Sequence, residues 1–355
     1  MQSELTLKSP IFALYVIKNF VIVASGGGNA KFGVKNLLQC FPISNQGISS
    51  TPSCELQMGN DVPVFIKGLP SKDVFCICVN NFSIFYSLSN KGEFSEIFKI
   101  QSLPSSSEDL FQSCLALSPT YLCTGASNGN LKVFGLKFQN NDISSVDLVR
   151  ENTNAHIRTI NNIILIPEKK ILITASGDGT CKMFEIATLK MLRKISFRAK
   201  IEETSNYFMR DIQYDRYNNI LYTLQSPLRG KSYITKWDLY RNLDPISTIE
   251  VNDIVCSSMD YSDRLGILGV VDSEGHIIYV DVSGEMSVIK KLTLGENMIK
   301  CGAFYNNQFI SGSVDNIVRV SKTYTKGLFG FMTLIKLLVI GVIIFHIYNK
   351  KAQII

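Results

Sequence analysis

Thr124-Gly-Ala-Ser-Asn-Gly-Asn-Leu-Lys-Val-Phe134 returns fifty residues later as Thr174-Ala-Ser-Gly-Asp-Gly-Thr-Cys-Lys-Met-Phe184. Two further copies follow, Gly269-Val-Val-Asp-Ser-Glu-Gly-His-Ile-Ile-Tyr279 and Ser311-Gly-Ser-Val-Asp-Asn-Ile-Val-Arg-Val320. Each reads as a strand, a turn of Asp, Asn and Gly that tolerates positive φ, and a second strand ending on an aromatic residue or Val. The turn residues Gly129, Gly179, Gly275 and Asn316 stand 50, 96 and 41 apart, and 96 is two steps of 48. The missing step falls on the longer loop Gln225-Ser-Pro-Leu-Arg-Gly-Lys231, ahead of Tyr233-Ile-Thr-Lys-Trp-Asp238. No sustained helical periodicity interrupts these short β-branched and aromatic runs.

A period of 40 to 50 residues built from four short strands is that of a WD40-type β-propeller, an all-β fold. Counting from the turns places seven blades, starting near residues 10, 62, 111, 155, 205, 253 and 297, with six blades as the alternative count. Only three strands are evident in the last blade, at 298–305, 309–313 and 317–322. Ser3-Glu-Leu-Thr-Leu-Lys8 alternates polar and apolar residues and is the expected fourth, closing the ring and hiding its edge. His156 lies 28 residues before Phe184, the spacing at which such blades place their Gly-His and Trp-Asp pairs. His156 and Asp178 are therefore expected to form a structural hydrogen-bond pair rather than a catalytic one.

The chain has 355 residues and a formal charge of +6, from 36 Lys and Arg against 30 Asp and Glu. No acidic residue follows Asp315, and six basic ones do: Arg319, Lys322, Lys326, Lys336, Lys350 and Lys351. The body is thus neutral, which excludes a broadly basic nucleic-acid-binding domain. The basic tail surrounds Leu328–Tyr348, 21 residues of which fourteen are Leu, Ile, Val or Phe. As a helix they would rise about 31 Å, the thickness of a bilayer's hydrocarbon core. The expected organisation is a cytosolic propeller over 1–323, a transmembrane helix over 328–348 and a short lumenal tail over 349–355. The apolar stretch Ile11–Ser25 is broken by Lys18 and Asn19 and lacks a basic leader, so it does not read as a signal peptide. The nine cysteines are scattered, odd in number and set in apolar runs such as Cys76-Ile-Cys78, which reads as small buried hydrophobes in a reducing compartment. The sequon Asn81-Phe82-Ser83 is expected to be unused there.

One connection breaks the pattern: Ser25-Gly-Gly-Gly-Asn-Ala-Lys-Phe-Gly-Val-Lys-Asn36, between the apolar runs Phe20–Ala24 and Leu37–Phe41. It is not a phosphate cradle, since Gly28…Gly33-Val34-Lys35 carries an extra residue and runs into a strand instead of a helix. Nor is it a dinucleotide loop, because Lys31 stands where the third glycine is required. Four glycines let a backbone converge on a cation or approach a partner closely, while Lys31, Lys35 and Asn36 add charge and an amide.

This loop in the first blade, followed by a propeller and an apolar C-terminal segment, resembles the endoplasmic-reticulum exchange factors for the Sar GTPase, the family of the prolactin regulatory element-binding protein. Pro10-Ile-Phe-Ala-Leu-Tyr15 and Tyr233–Asp238 look like family segments too. The resemblance implies a guanine nucleotide exchange factor, with no covalent chemistry of its own, that releases GDP from a Sar-type small GTPase at the endoplasmic-reticulum membrane and so starts COPII coat assembly. It implies that Asn36, Val34 and Lys35 contact the GTPase. It further implies a potassium ion held by the backbone of Gly26, Gly27, Gly28 and Gly33. Ser25 departs from the family, which has a glycine there. The rival expectation is a tail-anchored scaffold that docks trafficking partners without exchange activity. A DNA-binding regulator is a third reading, against which the neutral body argues.

Overall fold

The computed structural model describes residues 3–28, 33–104, 110–139, 142–197, 207–239 and 245–323. The repeats form seven antiparallel sheets in sequence order, each counted from its inner strand. Blade 1 holds Ile11–Ile17, Phe20–Ser25, Asn36–Ser44 and Cys54–Gly59, with Gly47–Ile48 as a short addition. Blade 2 runs from Pro63 to Gln101 and blade 3 from Gln112 to Asn152. Blade 4 comprises Ile160–Ile166, Ile171–Ser176, Thr180–Glu185 and Met191–Ser196. Blade 5 runs from Phe208 to Asn252, blade 6 from Cys256 to Thr293, and blade 7 starts at Ile299. The inner strands thus begin one to five residues from the positions the repeat predicts, and the count is seven. Among the described residues the only helix is two single 3-10 turns, Pro70–Lys72 and Pro167–Lys169.

Blade 7 closes the ring as expected. Its own strands Ile299–Tyr305, Gln308–Ser313 and Ile317–Lys322 take Ser3–Thr6 as the fourth, with Leu5 opposite Val318. Leu5 and Val318 are both buried, and Arg319 ties the two strands by reaching Glu4 at 3.2 Å and Asp315 at 2.9 Å. Pairing the first strand with the last removes the open sheet edges that would otherwise template association.

Burial follows the layering. Second strands sit between neighbouring blades on both faces, so they read as unbroken apolar runs instead of alternating; all six residues of Val74–Val79 and of Ile267–Asp272 are buried. Outer strands such as Met191–Ser196 face water over most of their length. The nine cysteines are all unpaired, seven of them buried, and burial pushes the Cys40 thiol up to about 11 and the Cys114 thiol up to about 12. At such values the thiols stay protonated and pack as small hydrophobes, as the sequence reading expects.

Alternation of strand direction puts every connection between second and third strands, and every link between blades, on one face of the disk, here called the loop face. At this face each of the seven inner strands carries a β-bulge at its second or third residue. The skipped positions are Phe12, Val64, Ser113, Asn161, Arg210, Ser257 and Lys300. A bulge leaves one residue without a cross-strand partner and re-aims its side chain. All seven line the central channel, a cavity of about 690 Å³.

The chain divides after Lys322 into two units. The expected transmembrane helix over 328–348 and the tail over 349–355 lie outside the described residues. Among the described residues no helix is long and apolar enough to cross a membrane.

Candidate functional site

Between second and third strands, six of the blades span two to five residues, whereas blade 1 spans ten, from Gly26 to Lys35. The loop leaves the sheet where Ser25, wholly buried, accepts a 3.1 Å hydrogen bond from Ser9 and where Gly26 N–H donates to Pro10 O at 2.9 Å. Ser25 is thus the last residue of its strand, opposite Leu37, and the loop proper begins at Gly26.

The two legs of the loop run against each other. A Cβ on Gly26 would fall 2.0 Å from Asn36 Oδ1, and one on Gly27 would fall 2.3 Å from Val34 Cβ. Only glycine admits this approach, which is the packing reason for the run of glycines. Gly28 and Gly33 take φ of +89° and +76°, bending the chain out and back. Asn36, only 1% exposed, fastens the base: its Nδ2 donates to Gly28 O at 2.7 Å and to Gly59 O at 3.0 Å. Its Oδ1 is buried with no hydrogen-bond partner among the described residues. Val34 is half-buried, and Gly33 and Lys35 are exposed. The predicted contact residues therefore part company. Lys35 is presented on the surface, Val34 is presented in part, and Asn36 faces inward and shapes the loop. Lys31 lies outside the described residues.

His156 and Asp178 meet in blade 4 as the spacing predicts. His156 Nδ1 lies 2.8 Å from Asp178 Oδ2 and Nε2 lies 2.7 Å from Thr174 Oγ1. Thr180 donates to Asp178 Oδ1 at 2.6 Å. Burial lowers the pKa of His156 in spite of the carboxylate beside it, so the ring is neutral. Burial alone would raise the Asp178 carboxyl, but hydrogen bonds from His156 and Thr180 outweigh it and hold the group well below the usual carboxylate range. A ring held by Asp178 at one nitrogen and by Thr174 at the other is a hydrogen-bonded strut. Its side chain has no exposed surface, so it reaches no substrate.

The channel holds polar groups that sequence reasoning missed. Asp211 is buried and accepts from Ser258 Oγ at 2.9 Å, from Met259 N at 2.8 Å and from Asn162 Nδ2 at 2.5 Å, joining blades 4, 5 and 6. Asp260 accepts from Phe304 N at 2.8 Å, joining blade 6 to blade 7. Burial raises the pKa of both, that of Asp260 to about 6, and the Lys67 ammonium partly opposes the shift. Nothing in the local sequence marks these aspartates, because their partners come from neighbouring blades. Among the described residues no group of three His, Cys, Asp or Glu side chains could hold a metal ion.

Comparison with known proteins supports the fold. No family model matches the chain, and no curated protein matches it. Among solved structures it is similar to a chain in the crystal structure of a mitotic checkpoint complex, with a TM-score of 0.69, 10% identity and 91% of each chain covered. It is also similar to Sqt1 from Chaetomium thermophilum, with a TM-score of 0.66 and 12% identity over 91% of this chain and 98% of that one. The chain is a seven-bladed WD40-type β-propeller. At these identities the likeness extends to the fold alone.

Proposed function

We propose that this propeller is a guanine nucleotide exchange factor for a Sar-type small GTPase, anchored by residues 328–348 in the endoplasmic-reticulum membrane, where it initiates COPII coat assembly. The observation that carries the reading is the ten-residue glycine loop of blade 1, fastened at its base by Asn36 and presenting Lys35 and Val34 on the loop face. A connection longer than the fold needs is where binding residues concentrate.

Exchange makes no covalent bond. A GTPase holds its nucleotide through phosphate and Mg²⁺ contacts to mobile switch segments. A loop that binds the displaced switches better than the nucleotide-bound arrangement lowers the barrier to GDP release, by about 1.4 kcal/mol for each tenfold in rate. In this mechanism Val34 supplies the apolar wedge and Lys35 the charge. Asn36 acts as the positioning residue, keeping Gly26–Gly28 against Val34–Asn36. Potassium belongs to the same proposal. Gly28 O is committed to Asn36 Nδ2, whereas the buried, unpartnered Asn36 Oδ1 has the oxygen chemistry a hard cation takes. Bound there, with backbone carbonyls of Gly26, Gly27 and Gly33, the ion would stiffen the loop.

Release of a fluorescent GDP analogue from the Sar GTPase, measured with and without the full chain in detergent micelles, tests the reading. Acceleration by wild type and its loss in Val34→Asp are expected. No acceleration by wild type would leave a docking scaffold without exchange activity.

A further inference from the structure

Two cysteines of blade 1 face each other across a ladder. The third strand, Asn36–Ser44, runs beside the outer strand, Cys54–Gly59, and the register sets Cys40 directly opposite Cys54. Opposite residues of an antiparallel pair have Cα atoms about 4.5–5.5 Å apart and side chains on one face, and a disulfide takes Cα atoms about 4.4–6.8 Å apart. Both side chains share one apolar cluster, Cys40 within it and Cys54 packed against it. None of the other seven of the nine cysteines stands opposite a cysteine; Cys114 faces Gly125, Cys181 faces Ile195 and Cys301 faces Gly312.

Exposure differs within the pair. Cys40 is wholly buried and Cys54 is partly exposed, so an oxidant in solution reaches the Cys54 sulfur first. Ser53 holds the start of the outer strand in place. Its amide donates to Cys40 O at 2.8 Å, and its Oγ lies 3.1 Å from Cys40 O and 3.0 Å from Gly92 O of blade 2. The far end of the same two strands carries the base of the glycine loop. There Asn36 stands opposite Gly59, whose carbonyl accepts from Asn36 Nδ2 at 3.0 Å. Between the two ends the ladder is irregular, because Met58 has no residue opposite it. A covalent link at Cys40 would fix the register of the strand that holds the loop's base.

We propose that Cys40 and Cys54 are a peroxide-sensitive thiol pair that closes reversibly into a disulfide and locks the outer strand of blade 1 to its neighbour. The Cys54 sulfur attacks one oxygen of hydrogen peroxide and the O–O bond breaks. The departing hydroxide takes the Cys54 proton and leaves as water, and Cys54 becomes a sulfenic acid. The Cys40 sulfur then attacks the Cys54 sulfur, the S–O bond breaks, and hydroxide leaves as water with the Cys40 proton. Two thiols and one peroxide give one disulfide and two waters, and the two electrons lost by the sulfurs reduce the peroxide. Burial pushes the Cys40 thiol up to about 11, which keeps it from reacting first. A partly exposed disulfide stays open to attack by a small thiol, which restores the pair. The inference does not rest on the exchange reading, because its readouts involve no GTPase.

Treatment of the reduced full chain, in detergent micelles, with hydrogen peroxide tests it, followed by denaturation, alkylation and digestion without reductant. Mass spectrometry should find a peptide joining Cys40 to Cys54, lighter by two hydrogens than its reduced halves together. Of the nine thiols, nine less two, or seven, should still take the alkylating agent, and dithiothreitol should restore all nine. Cys40→Ala leaves Cys54 as a sulfenic acid that dimedone traps. Cys54→Ser, at the partly exposed member, forms no link and loses no thiol to peroxide, and it decides the matter if the Cys40 variant does not fold. Amide hydrogen exchange over residues 54–59 slows by about tenfold or more when wild type is oxidised, and does not slow in Cys54→Ser. Absence of the Cys40–Cys54 peptide, links among the other cysteines in its place, or a link that leaves exchange over 54–59 unchanged would overturn the proposal.

Discussion

Blades 1 and 4 make the same connection on the same face and spend their polar residues in opposite ways. In blade 4, Ser176 passes to Thr180 through Gly177, Asp178 and Gly179, and the aspartate is consumed by His156, Thr180 and the Ile157 amide. Every strong polar group there has a partner, and a Cβ on Gly179 would press within 2.6 Å of Tyr207 O in the next link. In blade 1 the same step, Ser25 to Asn36, takes ten residues and hangs from one amide whose oxygen is left over. The contrast teaches that the fold needs only a three-residue turn at this place. Blade 1 carries extra chain for which the propeller itself has no use.

Substitutions on either side can break this contrast. The largest effect falls in blade 4. Asp178→Ala strands the buried His156 N–H and the Thr180 hydroxyl and should cost about 3 kcal/mol in a urea unfolding experiment. The folded fraction should release GDP from the GTPase at the wild-type rate. Gly26→Ala comes next, since its Cβ must displace Asn36. Overpacking of that kind costs about 1–3 kcal/mol, and here the loss of exchange should exceed what the loss of folded protein explains.

A pH series sharpens the blade 4 side. The folded His156 has a lowered pKa, so below about pH 6.5 the unfolded chain binds a proton that the folded chain refuses. Its contribution to stability is therefore present above that pH and lost on acidification, with a slope of up to about 1.4 kcal/mol per pH unit. Asp178, depressed when folded, adds a loss of the same sign at lower pH. Asp260, raised to about 6, works in the opposite direction, so the difference between wild type and His156→Gln is the quantity to measure. That difference should narrow as the pH falls below 6.5. The smallest effect belongs to blade 1: Lys35→Ala, at an exposed position, should leave stability within about 0.5 kcal/mol while slowing GDP release.

Much of this was legible in the sequence where a local rule applies. Gly129, Gly179, Gly275 and Asn316 all take the positive φ that their turn chemistry announces, between +70° and +87°. The alternation of Ser3–Lys8 marked the closing strand, and the histidine spacing marked the blade 4 strut. Reach across blades is what stayed hidden. Asn36 reads as a surface amide beside Lys35, yet Gly59 from the outer strand's end draws it inward. The lining of the central channel depends on seven bulges, and a bulge at Arg210 or Lys300 leaves no mark in composition or periodicity. Blade 4 begins five residues later than the repeat suggests because the link from Asn152 to Ile160 is long enough to bring His156 under Asp178.

The most direct measurement transplants one connection onto the other. Residues 26–35 are replaced by the Gly-Asp-Gly turn of blade 4, and release of the fluorescent GDP analogue from the Sar GTPase is compared with wild type at equal folded concentration. An unfolding midpoint close to wild type and GDP release no faster than from the GTPase alone are expected. A shortened-loop protein that still accelerated release as wild type does would contradict it.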